Sequence, residues 1–209
     1  MDSKNEELIF QDELAQTLHK AVLGEPEQDP VMSAACRKAA CDGLVLLKNE
    51  GVLPLDKQSS TAYFGRVQND YFYVGYGSGG DVNPNYLVSP MAALRDRGDI
   101  AYDQELAGLY ADWCACHAPQ VCDWAQWPTC HPEMPLRDDQ VRRAAQKSET
   151  AVVILGRAMG ESMDNSATKG GYYLTDEERG LLEQVTREFK KTVVVIDAGN
   201  IIDLSWTRE

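Results

Sequence analysis

Two carboxylates stand in a suggestive place. Glu161 and Asp164 lie just past AVVILGR (151–157), a short apolar run ending in a polar residue that reads as a buried strand. A carboxyl group held over a partly dry cleft has its pKa raised and can serve as a general acid. By composition alone the ordinary solvated loop acid is the commoner outcome. A second feature is GYGSGG (75–80), in which Ser78, flanked by glycines, would be open to close approach by a ligand. As a phosphate loop it fits poorly. The glycines should follow a strand directly and open a helix, whereas about nine residues intervene, and no Lys-Ser/Thr pair accompanies them. A third feature is the group Cys114, Cys116, Cys122 and Cys130 with His117 and His131. Its spacing matches no zinc knuckle, so the expectation is no metal and reduced thiols packed around Trp113, Trp124 and Trp127. No Gly-x-Ser-x-Gly elbow occurs, and the three histidines (His19, His117, His131) fall outside the loops that follow strands. His-based catalysis is therefore not expected.

The elements that must position these residues can be read in order. Residues 5–23 and 31–48 have helical periodicity and are separated by the breaker GEPEQDP, with Ser33 as the expected N-cap of the second helix. A short strand is expected at 62–65. Helices follow from about Ser89 to Arg97 and over 103–114, with a short strand near Ile100 between them. The Pro-, Trp- and Cys-rich stretch 115–137 reads as an inserted loop, and 138–148 as a helix. Residues 175–191 form an amphipathic helix that Thr175 caps, with Glu178 three residues on, and TVVVIDAGN (192–200) is a further buried strand. Apolar strands separated by helices imply an α/β fold: a doubly wound, mostly parallel sheet with helices on both faces, a three-layer sandwich. In such sheets ligands gather at the carboxyl ends of the strands. That rule points to the loops after 62–65, after 151–155 and after 192–196. The domain reading is an N-terminal helical arm, 1–30, and the sandwich domain, 31–209.

The chain's 209 residues carry a net charge of −13. A field of that sign disfavours nucleic acid and anionic membranes as partners. No apolar run approaches the ~18 residues of a membrane span. MDSKNEELIF lacks the pattern of a secretory signal, so a cytoplasmic location is expected.

Several blocks, taken together and in order, resemble the α/β-sandwich domain of glycoside hydrolase family 3. They are AACRKAACDGLVLLKNEGVLPL (34–55), FGR…DYFYVGYGSGGDVN (64–83), EMPL (133–136), VVILGRAMGES…KGGYYLTDEE (152–178) and VVVIDAGNIIDLSW (193–206). The resemblance implies a retaining β-glycosidase, β-glucosidase-like, that needs two carboxylates about 5–5.5 Å apart. In that family the nucleophile is an aspartate on a (β/α)8 barrel, and the acid/base is the glutamate of "GExxD" before "KGxxxL", here Glu161. Ser78 would approach the bound sugar. Arg157 and Asp164 would orient Glu161 or tune its charge at the substrate site. No cofactor is implied. The partners implied are a carbohydrate substrate and the barrel domain of the same full-length protein. A barrel needs ~250 residues and has no room here. The sequence also stops soon after DLSW, where the family's sandwich continues. The expectations are a sandwich lacking its last strands, no turnover by this chain alone, and self-association through an edge strand. A non-catalytic carbohydrate-binding module that keeps Tyr71, Phe72, Tyr73 and Tyr76 but does not need Glu161 is the alternative. A nucleotide-binding domain is a third reading, which the misplaced glycines disfavour.

Overall fold

The computed structural model describes residues 29–73, 75–77, 87–118, 130–161 and 165–208. The chain divides into two compact units, residues 1–49 and 50–209. In the first, helix α1 covers Pro30–Gly43. Its N-cap is Asp29, whose carboxylate accepts the N–H groups of Val31 (2.8 Å) and Met32 (3.3 Å), with Pro30 in the first turn. The expected Ser33 cap thus lies a turn too late. Proline's fixed φ and missing N–H suit it to the helix start, and Asp-Pro supplies both cap and first residue. The helix ends at Gly43, and Leu44–Leu47 run on without regular structure.

The second unit is built on three parallel strands in the order β1 (Thr61–Phe64), β2 (Thr150–Arg157), β3 (Lys191–Ala198). Ala62 pairs in register with Ala151, and Val153 with Val194. Helices α2 (Pro90–Arg97), α3 (Gln104–Cys116) and α4 (Asp138–Lys147) lie between β1 and β2, and α5 (Asp176–Glu188) joins β2 to β3. Short 3-10 turns cover Arg66–Gln68 and Ser205–Arg208. The strand expected near Ile100 is a single parallel bridge, Thr61 to Tyr102.

Alternation along the strands divides the core. Ala62, Phe64, Ala151, Val153 and Leu155 face Leu106 and Tyr110 of α3, Val141 and Ala144 of α4, and Leu181, Leu182 and Val185 of α5. Tyr63, Val152, Ile154 and Val193 face the other way, toward Leu55, Val67 and Phe72, and Tyr63 also meets Met91 and Leu94 of α2. Parallel strands laid down in chain order with right-handed crossovers send their helices to one face, which accounts for the helix-rich first face. The result is the expected parallel α/β architecture, with α2 on the opposite face beside β1. No helix among the described residues is long and apolar enough to cross a membrane.

Side chains cap two of the later helices, the second at the expected Thr175. The Ser89 hydroxyl accepts the Ala92 N–H at 3.1 Å. The Thr175 hydroxyl accepts the Glu178 N–H (3.1 Å), and the Glu178 carboxylate accepts the Thr175 N–H (2.8 Å), a complete capping box.

Candidate active site

The three loops singled out by the strand-end rule converge. Beyond β2 the chain runs Ala158-Met159-Gly160-Glu161. Tyr76 and Gly160 form a parallel bridge, in which Tyr76 N–H donates to Met159 C=O (2.6 Å) and Glu161 N–H donates to Tyr76 C=O (2.8 Å). The loop after β1 therefore adds a one-step ladder beside the end of β2. This ladder fixes the Glu161 backbone while its side chain stays exposed. Gly77 makes the approach feasible. Its φ is +117°, and a methyl group there would overlap the Glu161 Cβ and come within 3.1 Å of Oε2. On the other side, Met159 packs against Gly199 in the loop after β3, leaving no room for a Cβ at that glycine.

Arg157, the last residue of β2, lies beneath this surface. It is 3% exposed. Its guanidinium grips the Glu178 carboxylate with two bonds of 2.6 Å, Nη1 to Oε1 and Nη2 to Oε2. Nε donates to Gly171 C=O (3.0 Å), Nη1 to Gly156 C=O (2.8 Å) and Nη2 to Tyr173 C=O (3.2 Å). These five bonds use all five N–H donors, so none remains for a substrate. Arg157 ties the loop after β2 to the first turn of α5. That loop is further joined to the segment after β3 by the bond from Asp203 N–H to Tyr172 C=O (2.8 Å). Ser78 and Asp164 lie outside the described residues.

Sequence reasoning gave Asp197 no role, and named Phe72 only in an aromatic set and His131 only in the Cys/His group. Asp197, near the end of β3 and paired in register with Gly156, accepts the backbone N–H of Phe72. Burial pushes its carboxyl up to about 6, partly offset by that N–H. The Phe72 ring occupies the space above Gly156 where a Cβ would stand, and it stacks on the His131 imidazole with centroids 5.0 Å apart. Burial, followed by the nearby Arg66, holds His131 below its ordinary pKa. No single-sequence signal joins positions 72, 131, 156 and 197. The parallel register pairs Gly156 with Asp197, and the Phe72 ring joins them to His131.

A second polar cluster lies behind the site. Burial pushes Glu133 up to about 7, offset in part by N–H donors from Arg66 and Met134, each at 2.8 Å. The Tyr110 hydroxyl also donates to Glu133 and accepts the Gly65 N–H at 2.9 Å. Cys114 is pushed up to about 12, chiefly by burial, so its thiol is protonated and inert. Among the described residues, no three His, Cys, Asp or Glu side chains converge in a way that could hold a metal ion.

The model of the glycosyl hydrolase family 3 C-terminal domain matches residues 44–209, and the chain belongs to that family. It is 43% identical over 169 residues to a beta-glucosidase of Ruminococcus albus, covering 80% of this chain and 18% of that one. It is 28% identical over 196 residues to beta-glucosidase A of Butyrivibrio fibrisolvens, covering 82% and 23%. Among solved structures, a beta-glucosidase from Paenibacillus barengoltzii superposes with a TM-score of 0.84 at 41% identity, over 88% of this chain and 20% of that one. Beta-glucosidase 3B of Thermotoga neapolitana, in complex with alpha-D-glucose, superposes with a TM-score of 0.75 at 31% identity, over 84% and 25%. The chain thus spans about a fifth of the length of the curated relatives it matches.

Proposed function

We propose that this chain supplies the general acid/base, Glu161, of a retaining β-glycosidase that acts on terminal β-linked, glucoside-like sugars. The nucleophilic aspartate would lie on a barrel domain outside these 209 residues. In the first step the protonated Glu161 gives its proton to the departing glycosidic oxygen as the nucleophile bonds to the anomeric carbon. In the second, the Glu161 carboxylate takes a proton from the water that releases the sugar. Ser78 and Asp164 are proposed as sugar contacts, and Arg157 as the residue that holds the loop after β2.

The observation that carries the reading is the placement of Glu161. An exposed carboxyl stands on a backbone pinned to Tyr76, at the carboxyl ends of parallel strands. A floppy surface acid would not be so anchored, and a proton donor gains most from fixed geometry. The family and the beta-glucosidase relatives support the same substrate class.

The test uses the complete gene product. Glu161→Gln is expected to lower kcat/KM on an alkyl glucoside roughly 10²–10⁴-fold, and far less on a dinitrophenyl glucoside, whose leaving group needs no proton. Undiminished hydrolysis of the alkyl glucoside would remove Glu161 from the mechanism and favour a binding module.

A further inference from the structure

Asp197 is a half-buried carboxyl at the carboxyl end of β3, and the mechanism above does not use it. One of its oxygens accepts the Phe72 N–H. The other, Oδ2, is shielded from solvent and has no hydrogen-bond partner among the described residues. The carboxyl is thus spent on one backbone bond to the segment that follows β1. That segment has two further attachments. The Phe72 ring fills the space above Gly156, the register partner of Asp197, and stacks on His131. Four residues later Tyr76 forms the ladder with Met159 and Glu161, and Gly77 abuts the Glu161 side chain. Residues 71–73, fastened by Asp197 and Gly156, and residues 75–77, bearing on Glu161, are the two ends of one strap.

We propose that Asp197 is a positioning residue for the Glu161 carboxyl, acting through the strap from Phe72 to Gly77. The inference rests on the acid/base reading of Glu161. What Asp197 must supply is an acceptor for the Phe72 N–H, not a charge. Releasing Phe72 frees the strap to shift along β2, and the Tyr76 ladder transmits the shift to Glu161. A proton donor displaced by a fraction of an ångström loses its alignment with the glycosidic oxygen, while sugar binding is little affected.

The experiment compares variants of the complete gene product on an alkyl and a dinitrophenyl glucoside, with a melting curve for each. Asp197→Ala is expected to lower kcat/KM on the alkyl glucoside ~10-fold and to leave kcat/KM on the dinitrophenyl glucoside, whose leaving group needs no proton, within ~2-fold of the parent. Asp197→Asn is expected to recover most of the loss. Its amide oxygen still accepts the Phe72 N–H, and its NH2 takes the place of an oxygen that has no partner. Gly156→Ala strains the same strap by pushing the Phe72 ring, and should reproduce the leaving-group-dependent loss. It decides the matter if Asp197→Ala fails to fold. Equal losses from Asp197→Asn and Asp197→Ala would overturn the proposal, because the charge would then be what matters. So would equal losses of kcat/KM on both substrates. If Glu161→Gln shows leaving-group dependence and neither Asp197→Ala nor Gly156→Ala does, this inference alone falls. If Glu161→Gln shows none, both readings fall together.

Discussion

Two buried arginines brace the loops of this domain in different ways. Arg157, at the end of β2, meets a carboxylate that is itself buried, and the pair closes with two bonds of 2.6 Å. The same Glu178 completes the capping box of α5, so one contact locks a loop and a helix start. Arg66, just past β1, is equally buried, but its carboxylate partner Asp70 is half-exposed, at 2.6 Å. Its other donors go to the carbonyls of His117 and Pro132. The first clamp is self-contained, with its charge matched inside the protein. The second gathers separated stretches of backbone around a charge matched at the surface, beside a carboxyl, Glu133, that burial pushes toward neutrality. The site loop hangs from the stiffer of the two.

That contrast can be broken from either side. The largest effect is expected from splitting the matched pair. Arg157→Met or Glu178→Leu leaves one buried charge alone and should cost about 3–5 kcal/mol. The double replacement should recover a good part of it, as a double-mutant cycle in denaturant would show. Next comes the pH response of the Arg66 side. Glu133 ordinarily titrates near 4.5 and is held at about 7 in the folded chain. The folded state therefore binds the proton more tightly. Stability is fullest below about 4.5, falls as pH rises to about 7, and levels off above it. The drop is expected to be roughly 2–4 kcal/mol, and Glu133→Gln should flatten the dependence of the urea midpoint on pH across that window. Arg66→Met should cost less than splitting the Arg157 pair, about 1–3 kcal/mol, because the freed Asp70 and part of the released backbone can turn to water. The smallest effect is expected at the helix start. Thr175→Ala removes one half of the capping box for about 1 kcal/mol, read as a shift in the melting temperature.

How much of this was legible in the sequence follows from the range of the interactions. The apolar strands at 151–157 and 192–198, and the Thr175–Glu178 box, are local patterns, and the structure has them. Ser33 resembles a cap, but Asp29-Pro30 supplies both the cap and the first helical residue of α1. Its end was misplaced because four consecutive apolar residues, Leu44–Leu47, say nothing about helix against extended chain. Glu161 stood out only because the surrounding blocks resemble a known family; as a lone loop acid it was indistinguishable from a solvated one. The Arg157–Glu178 pair spans twenty-one residues, and Glu178 reads locally only as a capping residue. Asp197, Gly77 and His131 gain their roles from parallel register and from contacts across many tens of residues, which no local spacing encodes.

The central claim, that Glu161 is the acid/base, is tested most directly by replacing it with alanine in the complete gene product and adding azide. A small anion then takes the place of the water that Glu161 would have activated. The account requires that turnover of a dinitrophenyl glucoside rise with azide and that β-glucosyl azide accumulate with retained configuration. Turnover indifferent to azide, with glucose as the sole product, would contradict it.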